Sequence, residues 1–187
     1  IGKGGKTSFA VHLAACVAGG ERCLDRTVAA GAVLYLNVEN PVRLFRRKLL
    51  EAGAVRLEHP VHVYSGPAPT LAAVRASIER QKPGLVVVDS LARLLQLQDE
   101  NSAAEVNLKL PPWIQLSHEY ELGLFAIYHD RKSEGDFGRA IRGSSAFLAA
   151  ADVAIHFRRE GDGADGRRRL EIVSRYDESS DLKLIIR

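Results

Sequence analysis

The stretch IGKGGKTS, Ile1 to Ser8, decides how the rest of the chain is read. A phosphate-binding loop has the pattern G-x-x-x-x-G-K-[ST]. Gly5, Lys6 and Thr7 supply its second half, and Ile1 to Gly4 fill the four free positions. The first glycine of the pattern would stand one place before Ile1. The stretch is therefore either such a loop cut by one residue or a glycine-rich turn before a helix. In the loop reading, backbone N–H groups of Gly2, Lys3, Gly4, Gly5 and Lys6 surround nucleotide phosphates, where side chains would block the approach. Lys6 reaches the β- and γ-phosphates, the Thr7 hydroxyl holds Mg²⁺, and Ser8 completes the ATP-binding positions.

Composition sets the bounds. The 187 residues fit one domain, and 46 % apolar residues suffice for a sizeable core. A net charge of +3 permits nucleic acid as a partner without demanding it. No apolar run approaches the ~18 residues of a membrane span, so no membrane partner is expected. Cys16 and Cys23 make no disulfide framework and show no metal spacing, which suggests a reduced, cytoplasmic setting.

Helix and strand signals alternate along the chain. TSFAVHLAACVA (Thr7 to Ala18) predicts a helix closed by Gly19 and Gly20. VLYLNVEN (Val33 to Asn40) predicts a strand, and Pro41 starts a helix through RLFRRKLLEAG. VHVY (Val61 to Tyr64) is a short strand, followed by a helix from Leu71 to Arg80 that Lys82-Pro83-Gly84 breaks. LVVVD (Leu85 to Asp89) and LGLFAIYHD (Leu122 to Asp130) are apolar runs ending in polar residues. Between them a helix is expected over roughly 103–120, begun or kinked by Pro111-Pro112. The polar RKSEGDFGRAIRGSS reads as a loop, then come a short helix over 146–151 and the strand VAIHF. RRRLEIVSRY and DLKLIIR alternate and are expected as antiparallel strands added to the sheet. The early strands lack alternation, as when helices cover both faces. The pattern predicts an α/β domain with a mainly parallel sheet, spanning 1–187.

Three polar residues at strand ends suit phosphate chemistry. Asp89 closes LVVVD, where a carboxylate orders Mg²⁺ and its waters; many parallel strands end in Asp without doing so. Glu39 follows the first strand after the glycine loop and suits a general base that polarises water for in-line attack, or is a solvated carboxylate before a turn. His129 ends LFAIYH, where it either senses the γ-phosphate or makes a structural hydrogen bond.

The order GGKTS, YLNVENP with an arginine-rich helix, LVVVDSLARLL and YHDRKSEGDFGRAIRGSSAFLAAADVAIHF resembles the RecA-like ATPases. The likeness is to the branch typified by the RepA hexameric replicative helicase and its AAA-type relatives. It implies a RecA-like P-loop core with strand order 5-1-4-3-2, ATP hydrolysis between subunits, and a ring or filament of copies. Lys6 and Thr7 match the Walker A positions, Asp89 the Walker B carboxylate, Glu39 the catalytic glutamate and His129 the γ-phosphate sensor. The stretch from Arg131 to Arg142 matches the channel-facing region, where Arg131, Lys132, Arg139 and Arg142 suit phosphate contacts and Phe137 suits stacking; a solvated surface loop is the alternative. Arg175 matches a basic residue that reaches a neighbour's ATP as an arginine finger, against an ordinary strand-end arginine. Arg167 to Arg169 read as a solvated hairpin flank or a DNA contact.

Two departures from that pattern stand out: the strand before the loop and the first glycine are not in this sequence, so an upstream extension is expected, and no second DNA-processing module is evident. The expected function is an ATP-hydrolysing motor on single-stranded DNA. A recombinase-like or regulatory ATPase, or a nucleotide-gated protein-binding module, remains the alternative.

Overall fold

The computed structural model describes residues 5–53, 58–99, 102–129, 145–159, 167–176 and 180–185. In chain order the elements are α1 (Lys6–Gly19), β1 (Val33–Asn37), α2 (Val42–Glu51), β2 (Val61–Ser65), α3 (Leu71–Gln81), β3 (Leu85–Asp89) and α4 (Leu91–Leu94). There follow α5 (Ala103–Lys109), α6 (Pro111–Glu119), β4 (Gly123–Ile127), α7 (Ser145–Ala150), β5 (Val153–Arg159), β6 (Arg167–Ser174) and β7 (Ser180–Ile185). The chain divides into two compact units, one of Thr7–Glu100 and Ala104–His129, the other of Ile1–Lys6, Asn101–Ala103 and Asp130–Arg187.

In the first unit four strands form a parallel sheet in the order β2-β1-β3-β4. All five residues of β1 and four of the five in β3 are buried. Alternate residues serve opposite faces. Val33, Tyr35 and Val87 join α1 and Phe45 of α2 in one core cluster. Val86 lies with Val74 and Ile78 of α3 and Trp113 and Leu116 of α6. Helices on both faces explain why these strands read as continuous apolar runs.

Helix α1 meets the sheet through small residues. Ala10, Ala14 and Ala18 recur every four residues, are fully buried, and belong to the central cluster with Val11. Phe9 meets Phe125 edge-on at a centroid distance of 6.1 Å. Tyr35 and Phe45 pack at 4.5 Å. Helix α3 is capped at its start by Thr70, whose hydroxyl accepts from the Ala73 N–H at 3.2 Å. It ends at Lys82 in the left-handed region (φ +47°), just before Pro83.

The helix expected over 103–120 is two helices. Leu110 ends the first, donating its N–H to the Val106 carbonyl at 2.9 Å. Pro111 and Pro112 lack N–H groups and occupy the first turn of the second, where no intrahelical donor is needed. The short helix α4 was not foreseen, because four residues leave no periodicity to read.

In the second unit β5, β6 and β7 form an antiparallel sheet of their own, with β6 in the middle. The tail strands therefore do not extend the parallel sheet among the described residues. Short connections in sequence favour pairing with the preceding strand in antiparallel fashion. No described helix is long and apolar enough to cross a membrane.

The close fit of α1 yields a prediction. Ala14→Leu forces extra methylenes between α1 and the sheet and should cost about 1–3 kcal/mol, measured as a lower urea midpoint with unchanged slope.

Candidate functional site

Strand register builds the site. The parallel ladders align Asn37 with Ser65 on one side and with Asp89 on the other, and Asp89 with Ile127. This row is the carboxyl edge of the sheet, the edge where open α/β sheets bind ligands. Glu39 and His129 each lie two residues beyond it, on the segments leaving β1 and β4. They flank Asp89, which closes the strand between them. One ligand atom from each of Glu39, Asp89 and His129 lies within 4.8 Å of the other two. His129 Nε2 is 3.3 Å from Glu39 Oε1, and both side chains are partly exposed.

The turn that carries Glu39 is held from below. The Val38 N–H donates to the Asp89 carbonyl at 2.8 Å. Asn37, buried at the end of β1, accepts from the Asn40 N–H at 3.1 Å and donates through Nδ2 to the Asn40 carbonyl at 2.9 Å. The same Nδ2 donates to Ser65 Oγ at 3.0 Å. An Asn side chain bonded to backbone two and three residues on is a standard way to fix a tight turn. Glu39 is thus presented by a braced segment.

Asp89 is fully buried. Its Oδ2 accepts from Asn40 Nδ2 at 3.0 Å and from the Tyr35 hydroxyl at 3.3 Å. Burial pushes its carboxyl above the ordinary carboxylate range; the Thr7 hydroxyl opposes this, the nearby Glu39 charge adds to it, and Tyr35 and His129 oppose it. Tyr35 is itself pushed up, by burial and then by the Asp89 charge, so it remains a donor. Thr7 comes near enough to act on Asp89, but among the described residues no hydrogen bond of ordinary geometry reaches Asp89 Oδ1. The peptide bond that follows, Asp89–Ser90, is cis.

That oxygen tests the fit of Mg²⁺. Among the described residues this buried carboxyl oxygen has no hydrogen-bond partner, and with the Thr7 hydroxyl near the same carboxyl group it offers hard oxygen donors. The donor set fits Mg²⁺, which Thr7 and Asp89 would hold.

At the glycine loop, Gly5 has φ +82°, a conformation that a residue with a Cβ would adopt only under strain. Lys6 follows as the first residue of α1. Ser8 accepts a hydrogen bond from Lys48 Nζ of α2 at 2.7 Å. Gly2, Lys3 and Gly4 lie outside the described residues, as do Arg131, Lys132, Phe137, Arg139 and Arg142. Arg175 follows β6; its N–H donates to the Asp152 carbonyl at 2.9 Å and its guanidinium is 3.9 Å from the Asp152 carboxylate. Of the expected residues, the structure brings together Thr7, Glu39, Asp89 and His129.

Sequence reasoning missed Tyr35, Asn37, Asn40 and Lys48. Tyr35 carried a signal, since a phenol in a run of buried aliphatic residues needs a hydrogen-bond partner. Lys48 carried none: it is one cation among several on a basic helix.

A buried carboxyl whose folded pKa is raised contributes stability that is fully present below its unfolded pKa and is lost as pH rises through the folded value. Asp89→Asn keeps an acceptor for Tyr35 and Asn40 while removing the buried charge. It should therefore melt higher than the parent at pH 7, at about 2–4 °C per kcal/mol gained, with the difference closing as pH falls below the ordinary carboxylate range. Scanning calorimetry across pH checks this, and ATPase activity should be lost in the same variant.

No curated protein matches the chain significantly. A family model does: the AAA domain of the AAA_25 family, over residues 1–135, a span that includes Lys6, Thr7, Glu39, Asp89 and His129. The chain belongs to the AAA_25 family of AAA domains, that is, to the AAA-type P-loop ATPases.

Proposed function

We propose that this chain is an ATP-hydrolysing, DNA-associated motor with a RecA-like core, working in a ring or filament of copies in the manner of a hexameric replicative helicase. The observation that carries the reading is the convergence of Glu39, Asp89 and His129 on one sheet edge, with Thr7 beside Asp89. The neighbours β1-β3-β4 match the 2-3-4 stretch of the order 5-1-4-3-2 when β2 is an added edge strand, which supports a RecA-like core.

The roles follow from chemistry and position. Glu39 accepts the proton of the attacking water, and its braced turn fixes the direction from which it acts. Lys6 neutralises the β- and γ-phosphates. Mg²⁺ held there would supply positive charge to offset that of the phosphates. Asp89 and Thr7 hold that position, with Tyr35 and Asn40 orienting the carboxylate. His129 contacts the base directly at 3.3 Å and precedes the Arg131–Arg142 stretch in the chain, so it is suited to report the γ-phosphate to a DNA-gripping segment. Arg175 would reach the ATP of a neighbouring copy, exchanging its surface partner Asp152 for phosphate.

ATPase assays of the full-length protein with and without single-stranded DNA test the reading. Glu39→Gln should keep ATP binding and lower kcat by about 10²–10⁴-fold, whereas Lys6→Ala should lose both. DNA-stimulated hydrolysis that survives both substitutions overturns the assignment. His129→Ala should retain ATP binding while DNA no longer accelerates turnover. Strand displacement separates a helicase from a recombinase-like ATPase. ATP binding without salt-dependent DNA affinity would instead indicate a protein partner.

A further inference from the structure

Away from the sheet edge, α1 carries a second group of metal-binding side chains. His12 and Cys16 stand four residues apart on one face of the helix. Cys23 lies beyond the helix in a short turn, where its N–H and carbonyl exchange hydrogen bonds with Arg26 at 2.9 Å each. Both cysteines are buried free thiols, whereas His12 is exposed and open to solvent. One ligand atom from each of the three lies within 4.8 Å of the other two. His12 Nε2 is 3.5 Å from Cys16 Sγ.

These separations are informative. In a tetrahedral centre with Zn–S near ~2.3 Å and Zn–N near ~2.0–2.1 Å, the nitrogen and sulfur ligands sit about 3.5 Å apart and two sulfurs about 3.8 Å apart. The His12–Cys16 pair already stands at that distance. Cys23, within 4.8 Å of both, needs to close by at most ~1 Å on Cys16 and ~1.3 Å on His12. The three side chains thus already interact in pairs, His12 with Cys16 and Cys16 with Cys23.

We propose that His12, Cys16 and Cys23 form a three-ligand site for Zn²⁺, with water as the fourth donor. Two sulfurs and an imidazole select a soft or borderline cation over Mg²⁺, in contrast to the oxygen donors at Asp89. Binding displaces one proton from each thiol to solvent and leaves two thiolates on the metal. The site ties the middle of α1, the helix that begins at the phosphate loop, to the turn after it. The proposal does not depend on which nucleic acid or partner the ATPase serves.

Co²⁺ is the probe, added to the reduced full-length chain in excess Mg²⁺. One equivalent should give the visible bands of a tetrahedral ion and a near-ultraviolet sulfur-to-metal band, and Zn²⁺ should displace it. His12→Ala and Cys23→Ala should each weaken binding by at least the ~10–100-fold seen when only an outer-shell partner is lost. Asp89→Asn should leave the signal unchanged. In a second readout, Zn²⁺ should raise the melting temperature of the parent but not of His12→Ala, whose exposed position leaves folding intact. Absence of Co²⁺ binding, binding without the sulfur band, or a band that persists in both ligand variants overturns the proposal.

Discussion

A carboxylate withdrawn fully from water at the end of a central strand is the constraint around which this molecule is arranged. Asp89 cannot be ionised cheaply in that position unless donors surround it. Tyr35 from the adjacent strand and Asn40 from the turn above it supply two, both to Oδ2. Among the described residues the second oxygen has no hydrogen-bond partner, and the carboxyl group lies near Thr7, Glu39 and His129. The arrangement keeps a destabilising group at the carboxyl edge of the sheet, the kind of compromise with stability that functional sites make.

The surrounding structure serves that placement. Parallel register sets Asn37, Asp89 and Ile127 in one row, so the residues just past two strands converge on the tip of the third. Alanines on α1 bring the helix after the glycine loop close against the sheet, and Thr7 in its first turn arrives beside Asp89. Asn37 turns the end of β1 into a bracket for Glu39, spending a buried amide on backbone and Ser65 rather than on packing. Membership of the AAA domain family implies nucleotide binding, and the carboxyl edge is where open α/β sheets bind ligands.

Much of this was legible in the chain. The run LVVVD gave the bounds of β3, because a strand buried on both faces has no other reading when it is five residues long and bounded by Gly84 and a carboxylate. VHVY was placed to within a residue, whereas the strand expected over Val33 to Asn40 ends at Asn37, where the Asn37 side chain folds the chain into a turn. The single helix over 103–120 failed at Leu110, where two prolines restart a helix rather than bend one. The tail strands were recognised as antiparallel, but alternation says nothing about which sheet a strand joins.

The sequence by itself determined the chemistry on offer: a glycine with a lysine and threonine, and Glu39, Asp89 and His129 at the ends of apolar runs. It did so because strand and helix periodicity and turn residues act over a few neighbours. Only the tertiary structure decided which of these groups meet. Strand order and register brought residues 50 and 40 positions apart into one cluster. They also supplied Tyr35 and Asn40 as partners for Asp89, Lys48 for Ser8, and Cys23 for His12 and Cys16. Contacts of that kind depend on the burial and pairing of whole elements, which no local pattern encodes.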